Sequence, residues 1–349
     1  MTAPAAVVHD RPFSDITRLH TILSLRCNYR CEFCFQPNFH DDLPEVVWRE
    51  RLLPVYPNLT ELVLHGGEPT AVAAFVEFCD FFRAVSPQTR LSIYTNGFRF
   101  GDYWRELMLT AGGYVNFSIN AASRETYAAV NRRDHYDAVL DNVRTFRAGI
   151  RERDSQVRLD FSFVITERNC HELVDFLHLA AAYEVHQVRF FFDLEAKPPL
   201  TDELRDTIRR AYAARAELGP MSVWGLEIFE GRLLGVPVAA HHLESHGCTR
   251  TTDSLYVGVN GDASFCTFLH GRPIGNLVTQ DLAEIWNSPA ALAQRGAQLD
   301  GEWTYCVNGY CGPAETLRNT THAAAPVTGA MPVLIPLRAV GGKRRAGEG

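Results

Sequence analysis

Three cysteines stand close together in Cys27-Asn28-Tyr29-Arg30-Cys31-Glu32-Phe33-Cys34, directly after the largely apolar stretch Leu19 to Leu25. Three thiolates this near one another can hold three irons of a [4Fe–4S] cube and leave the fourth iron open to bind something that reacts. The alternatives are a zinc knuckle or a chance cluster in a loop. Zinc sites usually show two short-spaced pairs, and no second such pair lies nearby.

Two more chemistry-bearing stretches follow further runs of apolar residues. Gly66-Gly67-Glu68-Pro69 closes the second and Thr95-Asn96-Gly97 the third. Glycines allow a bound group to approach the backbone closely, although GGEP also reads as an ordinary turn before a helix and Asn-Gly is a favoured turn dipeptide. The C-x3-C-x2-C spacing with Phe33 before the last cysteine, followed in order by these two motifs, resembles the radical S-adenosylmethionine (SAM) enzymes over roughly residues 18 to 315. The resemblance implies that Cys27, Cys31 and Cys34 ligate a [4Fe–4S] cluster and that SAM chelates its open iron. It also implies that the loop Gly66, Gly67, Glu68 and Pro69 meets the SAM amino group, with Glu68 as its carboxylate partner, and that Thr95 and Asn96 contribute further contacts. Ser118 and Asn120 resemble positions touching the ribose and carboxylate of SAM. Arg133, or its neighbour Arg132, resembles an arginine paired with the SAM carboxylate; an exposed helix arginine is the plain alternative.

A second group of cysteines lies far downstream. Cys248 and Cys266 flank Asn260-Gly261, a dipeptide suited to a hairpin turn, and Cys306 and Cys311 follow with four residues between them. Four cysteines suffice to ligate a second, auxiliary [4Fe–4S] cluster, and equally a structural zinc ribbon. The segment resembles the SPASM module in its shortened Twitch form, which favours the cluster. Of the two remaining cysteines, Cys79 falls in an apolar helical pattern and reads as core. Cys170 follows the fifth candidate strand, where a thiol could return a hydrogen atom to a substrate radical or simply pack a helix start. Asp193 and Glu195 follow the sixth and could bind hydroxyls or take their protons, or be plain loop charge.

The elements that must position these groups alternate. Candidate strands run over His20–Leu25, Glu61–His65, Arg90–Thr95, Tyr114–Asn120, Val157–Thr166 and Val188–Asp193. Between them lie candidate helices at residues 43–55, 71–85, 103–111, 123–149 (broken near 132–135) and 171–183, with apolar spacings such as Phe75, Phe78, Phe82. Strands alternating with helices predict βα units on a parallel sheet, and the family resemblance implies a partial (β/α)6 TIM-like barrel. The motifs fall at the C-terminal strand ends, where barrel chemistry gathers. Further helices are expected at 200–218 and 223–233. The domain expectation is a loose lead-in at 1–17, the barrel at 18–235, the cysteine-rich domain at 236–318 and a disordered Ala/Thr/Pro/Gly-rich tail at 319–349.

Composition narrows the function classes. A net charge of −7 with no concentrated basic run before Lys343-Arg344-Arg345 argues against nucleic-acid binding. No apolar run approaches the ~20 residues that span a bilayer, and no signal peptide is evident. Clustered cysteines in a cytoplasmic chain point to metal rather than disulfides. The resemblance implies SAM cleavage to a 5′-deoxyadenosyl radical, with electrons from a reductase such as flavodoxin or ferredoxin. The expected substrate is a small molecule (a polyol, sugar or nucleoside of natural-product biosynthesis) undergoing dehydrogenation, epimerisation or carbon–carbon bond formation. The lead-in is too short to be a peptide-recognition domain of its own. A peptide maturase and a non-catalytic iron–sulfur protein are the alternatives.

Overall fold

The computed structural model describes residues 11–192, 199, 201–226, 250–267 and 272–300. Seven parallel strands follow one another in space as in sequence: β1 (Arg18–Ile22), β2 (Glu61–His65), β3 (Arg90–Thr95), β4 (Gly112–Ser118), β5 (Arg158–Ile165), β6 (Gln187–Phe192) and β7 (Ser222–Trp224). The sheet continues past β1 through β8 (Ser254–Val257), parallel to β1, and then β9 (Asp262–Ser264) and β10 (Gly275–Asn276), both antiparallel to their neighbours. Among the described residues β7 and β10 end the sheet on either side, so the barrel is partial and open.

Helices α1 (Ala73–Val85), α2 (Asp102–Ala111), α3 (Arg124–Asn131), α4 (Tyr136–Glu152), α5 (Leu173–Ala182) and α6 (Asp202–Glu217) cover the sheet's outer face. Their buried residues recur at three- and four-residue spacing, as in Val139, Leu140, Val143 and Phe146 of α4. The core lies between these stripes and alternate strand residues: Phe117 meets Phe146 and Phe163 meets Phe176. Cys79 is fully buried in it, as expected. The opposite strand face points into the lumen with His20, His65, Tyr94, Asn116, Asp160 and Arg189.

The break expected near Arg132 is real: Arg132 caps α3 in the left-handed region, φ 53°. The Asn260-Gly261 hairpin also forms, with Gly261 at φ 83°. Three expectations fail. The helix expected at 43–55 is a π-helical turn at Val47–Arg51 followed by a 3-10 turn at Tyr56–Asn58, because Pro54 and Pro57 deny the backbone the donors a continuous helix needs. Instead of opening a helix at 223, Val223 and Trp224 pair with Val188 and Arg189. Gly225, at φ 94° and hard against the Phe190 carbonyl, then turns the chain. Residues 11–17 are not loose: Asn287 bonds both the amide and the carbonyl of Arg11, and Thr17 N donates to Asp253 O. The expected tail at 319–349 lies outside the described residues.

Candidate cluster and SAM site

The cysteine loop leaves the end of β1 and is fastened to the next two strand ends. Gly67 N donates to Ser24 O and Glu68 N to Arg26 O, each at 2.8 Å. A Cβ on Gly67 would stand 2.0 Å from Arg26 O, and one on Gly66 (φ 133°) 2.7 Å from Ser24 O. The chain's own backbone therefore already requires glycine at both positions, whatever a ligand adds. Gln36 Nε2 closes the loop from below onto Gly66 O at 2.6 Å.

Glu68 is the clasp between β2 and β3. Its Oε1 accepts from Thr70 N (3.0 Å), Thr70 Oγ1 (2.6 Å) and Thr95 Oγ1 (2.7 Å), and its Oε2 from Asn96 N (2.6 Å). Burial raises the Glu68 carboxyl above the ordinary carboxylate range, and these four bonds oppose that rise. Pro69 is buried at the start of a short 3-10 turn. Asn96 Nδ2 then reaches the cysteine loop at Asn28 Oδ1, 2.8 Å away, while the buried Asn28 Nδ2 has no partner among the described residues.

The far side of the loop rests on α3 and α4. Glu32 N donates to Val130 O, Cys31 Sγ lies 3.5 Å from Asn131 Oδ1, and the Tyr29 hydroxyl meets Tyr127 OH at 2.9 Å and His135 Nδ1 at 3.1 Å. Arg133 extends to the same loop, its Nε 3.4 Å from Asn28 O. Ser118 ends β4 half-buried, its Oγ 3.1 Å from Ser162 Oγ. The strand expected to run to Asn120 stops at Ser118, and Asn120 turns into the left-handed region at φ 63°. Its amide has internal partners: Val164 N, Ser118 O and Asn131 Oδ1.

Cys27, Cys31, Phe33 and Cys34 are all half-buried. Burial pushes the Cys27 thiol up to about 11 and raises Cys31 and Cys34 as well; Cys27 and Cys31 are raised further by neighbouring thiols. Thiols that crowd one another and resist ionisation need a cation to become thiolates, and iron supplies it. Tyr29 N already points at Cys27 Sγ, 3.3 Å away. Among the described residues no three His, Cys, Asp or Glu side chains converge on a single ion. Cys170 begins a 3-10 turn after β5, half-buried, its thiol raised by burial and lying 3.4 Å from Glu167 O. Cys266 is half-buried just past β9. Asp193, Glu195, Cys248, Cys306 and Cys311 lie outside the described residues.

Family models match residues 21–180 as the radical SAM superfamily and residues 248–311 as SPASM, an iron–sulfur cluster-binding domain. The chain belongs to the radical SAM superfamily. Membership implies a [4Fe–4S] cluster and SAM, and the SPASM match implies auxiliary iron–sulfur clusters. A protein of Saccharolobus islandicus named probable GTP 3′,8-cyclase is 27% identical over 184 residues, 51% of this chain and 56% of that one. The chain thus spans about half the length of the curated relatives that match first. The GTP 3′,8-cyclase of Syntrophomonas wolfei is 24% identical over 274 residues, 72% of this chain and 82% of its own. Among solved structures, Streptococcus suis SuiB bound to its precursor peptide SuiA superimposes with a TM-score of 0.58 at 17% identity, covering 80% of this chain and 66% of SuiB. The protein anSMEcpe with bound AdoMet and a peptide gives 0.57 at 14%, covering 86% and 95%. These two likenesses show a shared fold. No described helix is long and apolar enough to cross a membrane.

The cysteine spacing and GGEP were legible beforehand. The clasp residues Asn28, Tyr29, Gln36, Tyr127, Asn131 and His135 were not, since each acts across the sheet on a distant partner.

Proposed function

We propose that this protein reductively cleaves SAM and removes a hydrogen atom from a small hydroxyl-bearing substrate in natural-product biosynthesis, leading to dehydrogenation, epimerisation or bond formation. The observation that carries this is the set of three half-buried thiols at the β1 end, locked to the Glu68 and Asn96 loops. A [4Fe–4S] cluster with an open iron supplies the electron that converts SAM to methionine and a 5′-deoxyadenosyl radical.

The chain's own part is to hold and orient. Cys27, Cys31 and Cys34 ligate three irons, and Phe33 packs beside them. Glu68 Oε2 accepts one bond, from Asn96 N, and offers its remaining lone pair to the SAM ammonium beside Gly66, Gly67 and Pro69. Thr95 and Asn96 hold that loop, Ser118 meets the ribose, Asn120 fixes the β4 end beneath it, and Arg133 faces the carboxylate. Cys170 and Asp193 are the candidates for returning a hydrogen atom and for taking a hydroxyl proton. Cys248, Cys266, Cys306 and Cys311 hold one auxiliary [4Fe–4S] cluster, in a Twitch-like domain at 236–318 behind a barrel at 18–235. The chain works in the reducing cytoplasm and takes electrons from a flavodoxin or ferredoxin.

Nucleotide substrates in the names of the curated relatives support a small-molecule substrate. The peptide bound to SuiB keeps peptide maturation as the second reading. Iron and sulfide per chain after anaerobic reconstitution test the assignment. Wild type should hold ~8 irons and the Cys27→Ala/Cys31→Ala/Cys34→Ala protein ~4, and only wild type should release 5′-deoxyadenosine from SAM with dithionite. Iron-loaded wild type that releases none is a non-catalytic iron–sulfur protein. Zinc in both, with ~4 irons in wild type and almost none in the triple variant, makes residues 248–311 a zinc ribbon.

A further inference from the structure

Barrel interiors are ordinarily filled by layers of branched apolar side chains. The middle of this lumen is polar and aromatic instead. His65 on β2 sits 6.3 Å, ring to ring, from Tyr94 on β3, and Tyr94 5.8 Å from Tyr114 on β4. Arg189 on β6 lies 4.4 Å over the Tyr114 ring and donates to Tyr94 OH, to Gln187 Oε1 (2.8 Å) and to Asp160 Oδ2 on β5 (2.9 Å). Asn116 on β4 is the register partner of both Tyr94 and Asp160. These side chains form one tier across the lumen, below the strand ends that carry the cysteine and SAM loops.

The tier is not self-sufficient. Both amide atoms of Asn116, Asp160 Oδ1 and His65 Nε2 are buried with no hydrogen-bond partner among the described residues, and Asn116 and Asp160 are fully buried. Each such atom left unsatisfied costs roughly 1–3 kcal/mol. Their types are mixed: Asp160 accepts, Asn116 donates and accepts, and the His65 nitrogen does either according to tautomer. A group that donates and accepts from one atom satisfies such a set, and the hydroxyl is that group. Where water can sit, a hydroxyl can replace it without losing its bonds.

Charge narrows the ligand further. Arg189 already has protein partners at Nε and both Nη atoms, so it presents no open fork to a phosphate or carboxylate. Asp160 is bonded to Arg189 and lies 3.7 Å from Arg158, so it is matched as well and has no unpaired charge for an amine. Burial keeps His65 neutral at pH 7.

We propose that this tier is the substrate platform and that it takes a small, uncharged, hydroxyl-rich molecule, with Asn116, His65 and Asp160 Oδ1 bonding its hydroxyls. This rests on the radical reading above and specifies its substrate class.

The test is calorimetric titration of the iron-reconstituted, SAM-loaded full chain with myo-inositol, glucose and adenosine, set against glucose 6-phosphate and tetra-alanine. At least one neutral polyol should bind saturably and more tightly than the phosphate or the peptide. Asn116→Leu removes both orphaned atoms at nearly constant volume. It should weaken that binding by about tenfold, the worth of one good hydrogen bond in a closed site, while leaving the thermal midpoint unchanged or higher. His65→Phe, which removes the orphaned ring nitrogen of the tier, serves if the leucine variant does not fold and should weaken binding in the same direction. The platform is overturned if no neutral polyol binds to protein holding both iron and SAM, if tetra-alanine or glucose 6-phosphate binds tighter, or if the folded variants bind as wild type. Polyol binding by a chain that holds no iron leaves the platform standing and sinks the radical reading instead.

Discussion

Gly67→Ala isolates the contact on which the cysteine loop depends. The new Cβ would stand 2.0 Å from Arg26 O and 2.6 Å from the carbonyl carbons of Leu25 and Arg26, about 1.4 Å short of an ordinary 3.4 Å contact. All three atoms are backbone, so no side chain can swing away. Relief requires the GGEP loop and the Cys27 loop to separate, which breaks Gly67 N to Ser24 O and Glu68 N to Arg26 O. Two such bonds at roughly 1 kcal/mol each, with about 1–3 kcal/mol of overpacking, give a local penalty of about 3–5 kcal/mol. The barrel core lies elsewhere, between strands and helices, so the damage should fall on the cluster corner. Anaerobic reconstitution should therefore give Gly67→Ala protein that is folded by circular dichroism but lacks the irons assigned to Cys27, Cys31 and Cys34. Gly101→Ala is the control: its Cβ would meet only Arg99 O, at 4.0 Å, and should leave iron content at the wild-type value. Full iron in Gly67→Ala, with a wild-type melt, would refute the reasoning.

Glu68→Gln must turn an NH2 toward hydrogen-bond donors at one of its two oxygens, because Oε1 and Oε2 both accept. A loss of about 1–3 kcal/mol in urea unfolding is expected, and an unchanged midpoint would count against the clasp. His65 has its pKa held at about 4 by burial, against 6.5 when exposed. The unfolded chain therefore binds the extra proton first, and stability falls as pH drops from 6.5 toward 4. Linkage gives a loss of about 2 kcal/mol between pH 7 and pH 5, and His65→Gln should flatten that slope in paired urea titrations. Arg295, fully buried, donates to Thr251 O, Trp286 O and Asn287 Oδ1. Arg295→Met should cost roughly 3 kcal/mol or more through the acceptors it strands, read as a lowered thermal midpoint.

What the sequence disclosed depended on whether a residue's partner was local. The strands β2 and β3 end where their apolar runs end, and the three motifs sit at the ends of the first three strands, because periodicity and turn chemistry are near-neighbour properties. The fourth strand's end was misjudged by two residues. Asn120 continues the apolar alternation on paper, yet its amide bonds Val164 N on the next strand and draws the backbone to φ 63°. The Val223–Trp224 strand was hidden for a similar reason: three residues carry no period, and β6 alone selects their conformation. The lumen tier was written in the sequence only as single polar residues inside strands, His65, Asn116, Asp160 and Arg189, which interrupt runs that are otherwise largely apolar.

The glycines teach the converse lesson. Gly66 and Gly67 suggested a ligand brought close to the backbone, and the structure gives a nearer cause, since Ser24 O and Arg26 O fill the space a side chain would need. The two explanations act in sequence rather than in competition. Packing the GGEP loop against the cysteine loop brings Glu68 under Asn96, and Asn96 onto Asn28, within one residue of Cys27. The strand ends that would hold SAM are thereby rigidly referenced to the thiols that would hold iron. Any bound SAM would then inherit its distance to the cluster from protein contacts made before it arrives, which is the preorganisation a reaction at an open iron demands.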